Sequence, residues 1–213
     1  MRTSKEYRDL AASALKGNYG TAIGIMLVYA LISSALTTVG LGIGLLILGG
    51  AFTIGLTAAY MGLFRSGGMN FADLFYGFTG KINFGSTIGL GFFTALFTML
   101  WSMLFIIPGI IATYSYSMAP YIMIDHPEMT GLEAITASKN LMKGKKGRLF
   151  CLELSYIGWI LLGILTCGIL LIWVEPKMLA ARAAFYEDIK QEVPGTSAAS
   201  TYTDKTYADE ETF

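Results

Sequence analysis

Charge is what this chain has least of. Charged side chains make up 14% of its 213 residues, against about 25% in a typical soluble domain. Histidine is almost missing: His126 is the only one. It stands in Asp125-His126-Pro127-Glu128 with no nucleophile or second ligand beside it, so it reads as a loop residue. Cysteine is limited to Cys151 and Cys167. One helix through both would hold them ~24 Å apart, and a disulfide needs Cα atoms within about 7 Å. Both are expected to be small buried hydrophobes. No catalytic, metal or nucleotide-binding signature is legible, so no enzyme activity and no cofactor are expected. No cleaved signal peptide is evident: the first nineteen residues are polar and amphipathic.

What is present is apolar. Hydrophobic residues make up 54% of the chain and mean hydropathy is +0.57. They come in long blocks without a two-residue alternation, a pattern for burial in lipid. The formal net charge of zero hides an asymmetry. Residues 191–213 hold Glu192, Asp204, Asp209, Glu210 and Glu211 against Lys205, a net of −4, which leaves +4 for residues 1–190. The reading is one membrane domain over 1–190 and a disordered acidic tail over 191–213.

The blocks repeat. Gly17, Gly80 and Gly144 stand 63 and 64 residues apart. Each closes a short amphipathic stretch, and each precedes a long apolar segment broken by glycine. Thr3 with Glu6, and Thr130 with Glu133, have capping-box spacing, and Asn70 with Asp73 mimics it. Tyr7, Leu10, Ala11, Ala14 and Leu15 form one helical stripe in the first stretch. Phe71, Leu74, Phe75 and Phe78 do so in the second, and Leu132, Ile135 and Met142 in the third. Gly17 falls where a left-handed helix cap belongs. The pattern predicts an all-α membrane protein of three repeat units, about 3–66, 67–129 and 130–189. Each unit is a cytoplasmic amphipathic interfacial helix followed by a transmembrane hairpin. Six spans are expected at 21–38, 43–64, 85–107, 110–124, 149–165 and 169–187. All fifteen Lys and Arg residues lie in the N-terminus, the two inter-unit loops or beyond Trp173, and none in the glycine turns. The positive-inside rule then places both termini in the cytoplasm. Gly20 and Gly24, Gly40 and Gly44, and Gly85 and Gly89 have the spacing of close helix packing.

Charges at membrane depth are costly and mark candidate sites. Glu153 falls in span five, and Glu175, Lys177 and Arg182 fall in span six. In a hairpin turning near residue 167, Glu153 and Arg182 lie level. They are read as a structural ion pair, a gating or substrate contact, or an arginine reaching to the interface. Pro176 is expected to kink span six and Pro120 to interrupt span four, either for packing or to line a site. Lys139, Lys143, Lys145, Lys146 and Arg148 form a basic cluster suited to anionic lipid headgroups or to simple membrane anchoring. The cluster is short and hugs the bilayer, so nucleic acid is not expected as a partner. Lipid is, with a membrane-protein partner or a second copy as further candidates.

Several stretches carry a family resemblance: Phe105–Tyr121 (FIIPGIIATYSYSMAPY), Ala137–Lys146 (ASKNLMKGKK), Leu154–Trp159 (LSYIGW), Ala184–Tyr186 (AFY) and Ala14–Gly20 (ALKGNYG). Over about residues 3–189 the chain resembles the bacterial integral-membrane family catalogued as domain of unknown function 975. The resemblance implies a multi-pass protein of the bacterial cytoplasmic membrane, typical of Gram-positive bacteria. It implies no catalytic or binding residues. The expected function is that of a non-enzymatic envelope accessory or scaffold protein. The alternative is a small transporter or channel for a polar or lipid solute, using the charges of the last hairpin.

Overall fold

The computed structural model describes residues 2–39, 43–104, 106–166, 168 and 170–192. Helix accounts for 81% of the structure, with no strand among the described residues. Helices α1 (Ser4–Ala14), α2 (Tyr19–Val39) and α3 (Ile43–Arg65) come first. A 3-10 helix (Phe71–Phe78) follows, then α4 (Phe84–Leu104), α5 (Ile106–Tyr116) and α6 (Ala119–Asp125). The remainder is α7 (Gly131–Leu141), α8 (Lys146–Leu154), α9 (Ile157–Leu165) and α10 (Leu171–Gln191). The acidic tail expected beyond residue 192 and the glycine turn at 40–42 lie outside the described residues.

Three described segments are long and apolar enough to cross a membrane: Tyr19–Thr38, Phe84–Met103 and Lys146–Leu165. Each has 20 residues, about 30 Å of helix, enough for a hydrocarbon core. Only 11% of the residues in the first two are buried. Leu31, Met99, Met103, Ile164 and Leu165 stand among the exposed large hydrophobics. An apolar surface of that extent is one that lipid or another protein covers. The other expected spans are less regular. Helix α3 has 23 residues and one charge, Arg65. Span four is broken into α5 and α6. Span six is α10, which carries Glu175, Lys177, Arg182, Glu187, Asp188 and Lys190.

The expected capping chemistry forms at both ends of the chain but not in the middle. In α1 the backbone N–H of Thr3 donates to Glu6 at 2.5 Å, and the Glu6 N–H donates to Thr3 Oγ1. In α7 Thr130 and Glu133 repeat both bonds. Both helices then end alike. The Asn18 N–H donates to the Leu15 carbonyl and the Lys145 N–H to the Met142 carbonyl, around Gly17 at φ 87° and Gly144 at φ 72°. That left-handed backbone favours glycine because no Cβ meets the carbonyl. Gly80 shares it, at φ 74°. The second amphipathic stretch departs from expectation. It is a 3-10 helix, and Asn70 makes no side-chain cap bond. It lies flat on α3: a Cβ on Gly55 would sit 1.8 Å from the Leu74 carbonyl oxygen, and one on Gly77 2.5 Å from that of Ala51. Leu74 is buried, while Phe71, Phe75 and Phe78 stay partly exposed.

Each of these three elements leans on a helix from another part of the chain. The Phe71 ring rests on Gly24 of α2, where a Cβ would lie 2.7 Å from its Cζ. Gly131 of α7 rests on α4, with a Cβ position 2.3 Å from the Leu90 nitrogen. In α1, Arg8 Nη1 donates to the Ser155 carbonyl at 3.0 Å, and Arg148 of α8 donates to the Tyr7 hydroxyl at 3.2 Å. The expected small-residue pairs make few of the close helix contacts: Gly24 bears the Phe71 ring and the Gly89 backbone lies against Gly131, while Gly40 lies outside the described residues. A Cβ on Gly20 would meet nothing, and one on Gly85 or Gly89 only the nearby side chains of Asn83 and Phe93. Gly50 and Gly91 make the α3–α4 contact instead, a Cβ on Gly91 lying 2.8 Å from the Gly50 nitrogen.

The core gathers around the second half of α10. Ala180, Ala181, Ala183, Ala184, Phe185, Tyr186 and Ile189 are all buried. They pack with Tyr7, Ala11 and Leu15 of α1, Ala59, Tyr60 and Leu63 of α3, and Tyr121 and Ile122 of α6. Small side chains on α10 let several helices approach it at once, which a lysine- or leucine-covered face would prevent. Pro176 sits buried inside α10 without ending it.

Pro120 acts differently. It falls in the first turn of α6, where its missing N–H costs nothing. The chain breaks just before it, at Ser117 and Met118. Ser138 of α7 repairs the break. Its hydroxyl donates to the Ser115 carbonyl at 2.7 Å and accepts from the Met118 N–H at 3.2 Å. Ser138 is fully buried, so both backbone groups would otherwise lack water.

Candidate functional site

A cavity of about 960 Å³ opens between α2, α3, α4, α5, α8 and α10. The glycine contact of α3 with α4 forms part of its wall, with Gly49, Gly50 and Gly91. Hydroxyl groups line much of the rest: Thr53, Thr94, Thr98, Thr113, Tyr116 and Ser117. Thr53 donates to the Gly49 carbonyl at 2.8 Å and Thr113 to that of Gly109 at 3.0 Å. These bonds satisfy the hydroxyl protons inside apolar helices and leave oxygen lone pairs as acceptors.

Glu153 and Arg182 meet at the cavity wall. Arg182 Nη2 lies 2.6 Å from Glu153 Oε1, and Nε donates to the same oxygen at 2.8 Å. The second carboxylate oxygen accepts from the Tyr114 hydroxyl at 2.6 Å. The Phe150 ring packs edge-on against Tyr114, 5.9 Å between centroids. The group is therefore a neutral, hydrogen-bonded dipole with half-open access. The side chain of Arg182 is 37% exposed and that of Glu153 20%.

The other two charges of the expected intramembrane site do not join them. Glu175 is exposed and has no ion pair among the described residues. Lys177 faces another groove, its Nζ 6.0 Å from the Tyr19 ring centroid. Lys177 is split off because five residues carry it about 140° round α10 from Arg182. Glu175, seven residues away, shares the face of Arg182 but lies about 10 Å along the helix axis, out of contact range.

The basic cluster also divides. Arg148 Nη1 donates to Glu192 at 2.8 Å and Nη2 to Asp188 at 3.3 Å. Lys145 Nζ lies 3.4 Å from Glu192 and donates to the Ile189 carbonyl. These two cations fasten α8 to the end of α10. Lys139 and Lys143 remain exposed and Lys146 half-exposed. Burial raises the cost of the Glu192 charge, but the hydrogen bonds and charge of Arg148 outweigh it and lower its pKa. The Tyr7 hydroxyl also donates to Asp188, and burial followed by that bond pushes the phenol well above its ordinary range. Cys151 is exposed, not buried as expected, because it lies on the outer face of α8; Cys167 lies outside the described residues.

Sequence reasoning missed Asp125. Its carboxylate accepts from Lys190 at 2.5 Å and from the Tyr186 hydroxyl at 2.8 Å, and lies 2.6 Å from Arg65 Nη2. Arg65 also pairs with Glu187 at 2.7 Å. Burial opposes ionisation of Asp125, yet the three donors hold its pKa below the usual carboxylate range. The hub ties α3, α6 and α10 together. Its partners lie about sixty residues off in sequence, so no local spacing signals it.

The fold and cavity define an all-helical protein with three helical segments of membrane-spanning length and a half-open, largely apolar cavity that carries the Glu153–Arg182 pair on its wall. Residues 104–193 match the family described as Protein of unknown function (DUF975). The matched segment contains Tyr114, Asp125, Ser138, Glu153 and Arg182. No curated protein and no solved structure matches the chain.

Proposed function

We propose that this is a non-enzymatic, six-span protein of the bacterial cytoplasmic membrane, built from three related units, whose cavity binds an amphipathic solute with a neutral or zwitterionic polar head. The cavity carries the proposal. At about 960 Å³ it has the size of a small-molecule site. Its wall pairs hydroxyl acceptors with the Glu153–Arg182 dipole, which matches a head of balanced charge better than an ion. The repeat is supported by the shared left-handed glycines at 17, 80 and 144 and by the three contacts that run from unit to unit around the molecule. An accessory or scaffold role for the protein is compatible with such a site if the solute is membrane lipid.

The test is the inventory of small molecules retained by purified protein in nanodiscs, read by mass spectrometry against empty nanodiscs. Thr98→Phe fills the cavity from a partly exposed wall position. The expected result is a retained solute that Thr98→Phe loses at unchanged melting temperature. An unchanged inventory in Thr98→Phe, or nothing retained above empty nanodiscs, overturns the proposal. Topology is tested by cysteine labelling of positions in 191–213 in intact cells. Labelling from outside would sink the six-span arrangement.

A further inference from the structure

A second groove, of about 350 Å³, lies between α1, α9 and α10. Lys5 and Arg8 face it from one side of α1, three residues apart and so on one face of the helix. Lys177 faces it from α10, and Asp9 is the sole acid in its lining. Three cations against one anion leave the groove positive. None of these lysines has an ion pair among the described residues, whereas Lys145 and Arg148 spend theirs on α10. Trp159 and Trp173 form the walls and are 51% and 53% exposed. Half-open tryptophans beside a lysine give the groove an amphipathic wall, with apolar rings next to a cationic tip. Tyr156 also lines the groove, 4% exposed, and its buried hydroxyl has no hydrogen-bond partner among the described residues. An unpaired buried hydroxyl is costly unless something completes it.

We infer that this groove holds the phosphate of an anionic phospholipid, with Lys5, Arg8 and Lys177 around the headgroup and the two tryptophans beside the upper acyl chain. The inference rests on the chain lying in a bilayer, and is independent of the cavity at Glu153. A free phosphate ion has the same charge chemistry, but the exposed indoles favour a lipid, because they give an inorganic ion nothing to bind.

The probe is tryptophan quenching in vesicles of brominated phosphatidylglycerol or brominated phosphatidylcholine, each at the same mole fraction in unbrominated phosphatidylcholine. The brominated anionic lipid should quench more strongly, by roughly threefold in apparent association, since each basic residue at a membrane surface attracts anionic lipid. Lys5→Gln with Lys177→Gln should abolish the preference. Lys5→Arg with Lys177→Arg should keep it. Equal quenching by both lipids, or a preference that survives the double glutamine variant, overturns the inference. Relief of the preference by millimolar inorganic phosphate assigns the groove to a free anion and overturns the lipid. Absence of quenching in either vesicle overturns the membrane reading itself, and this site with it.

Discussion

Helices α1 and α7 and the 3-10 helix at Phe71–Phe78 are each followed by a glycine with left-handed backbone, yet only the first two share a structure. Thr3, Glu6, Leu15 and Gly17 match Thr130, Glu133, Met142 and Gly144 at a constant offset of 127 residues. Ala22 and Ile25 match Leu149 and Leu152 at the same offset, and all four are buried. The middle element is shorter, lacks the Thr–Glu pair and is pressed against α3 by backbone-to-backbone contact at Gly55 and Gly77. A helix that is capped by its own side chains keeps its α geometry. A missing cap does not set the winding by itself, since α8, α9 and α10 have no side-chain cap bond and are α-helices. What sets the middle element apart is its backbone contact with α3, where it takes the tighter 3-10 winding. The two capped helices also differ in what they bury. Ala11 of α1 corresponds to Ser138 of α7, and only the serine has a broken helix beside it to repair.

The difference can be broken at its largest point first. Gly55→Ala drives a Cβ into the Leu74 carbonyl, so the middle element should detach, at about 3 kcal/mol. Thermal unfolding followed by circular dichroism in detergent reads this loss, and a melting temperature equal to wild type would show that the 3-10 helix is not held by α3. Asp125→Ala removes the acceptor shared by Arg65, Lys190 and Tyr186, and should cost about 3 kcal/mol because it strands partly buried charge. The same residue sets a pH limit. Its pKa is depressed on folding, so its contribution is complete above the ordinary carboxylate range and is lost as pH falls through the depressed value. Wild type should therefore melt progressively earlier below about pH 4, and Asp125→Asn should flatten that dependence.

Ser138→Ala leaves the Ser115 carbonyl and Met118 N–H unpaired and should cost about 2 kcal/mol. Ala11→Ser, the reciprocal change in α1, buries a hydroxyl with no break to serve and should destabilise as well. A neutral Ser138→Ala would mean that the α5–α6 break needs no repair. The smallest effects compare the caps directly. Thr3→Ala and Thr130→Ala should each cost about 1 kcal/mol, and Asn70→Ala close to nothing. Equal losses at all three would erase the distinction between the outer and middle elements.

Much of this was legible in the sequence for a physical reason. Capping boxes, left-handed glycines and apolar runs are local, and their geometry is set within a few residues. Thr3–Glu6, Thr130–Glu133 and Gly144 therefore form as their spacing requires. The contact of Glu153 with Arg182 was legible too, because a hairpin turning near residue 167 fixes which residues stand level. The middle amphipathic stretch was misread because Phe71, Leu74, Phe75 and Phe78 suit either winding, and the deciding contact comes from Gly55, far away in sequence. The Gly-x-x-x-Gly pairs misled because spacing reports which glycines share a face and not which face meets a neighbour.

By itself the sequence determined that this chain folds as helices, that most of its apolar surface needs a non-aqueous partner, and where three of its turns reverse. Those properties follow from composition and from backbone preferences that act over one or two turns. Tertiary structure alone decided which charges meet. It joined Asp125 to Arg65 and Lys190, turned Arg148 and Lys145 inward, split Glu175 and Lys177 from Arg182, and set Lys5 and Arg8 beside Lys177. Ion pairs form at a few ångströms between groups that chain connectivity leaves free to lie anywhere, so only the packing of whole helices brings them together.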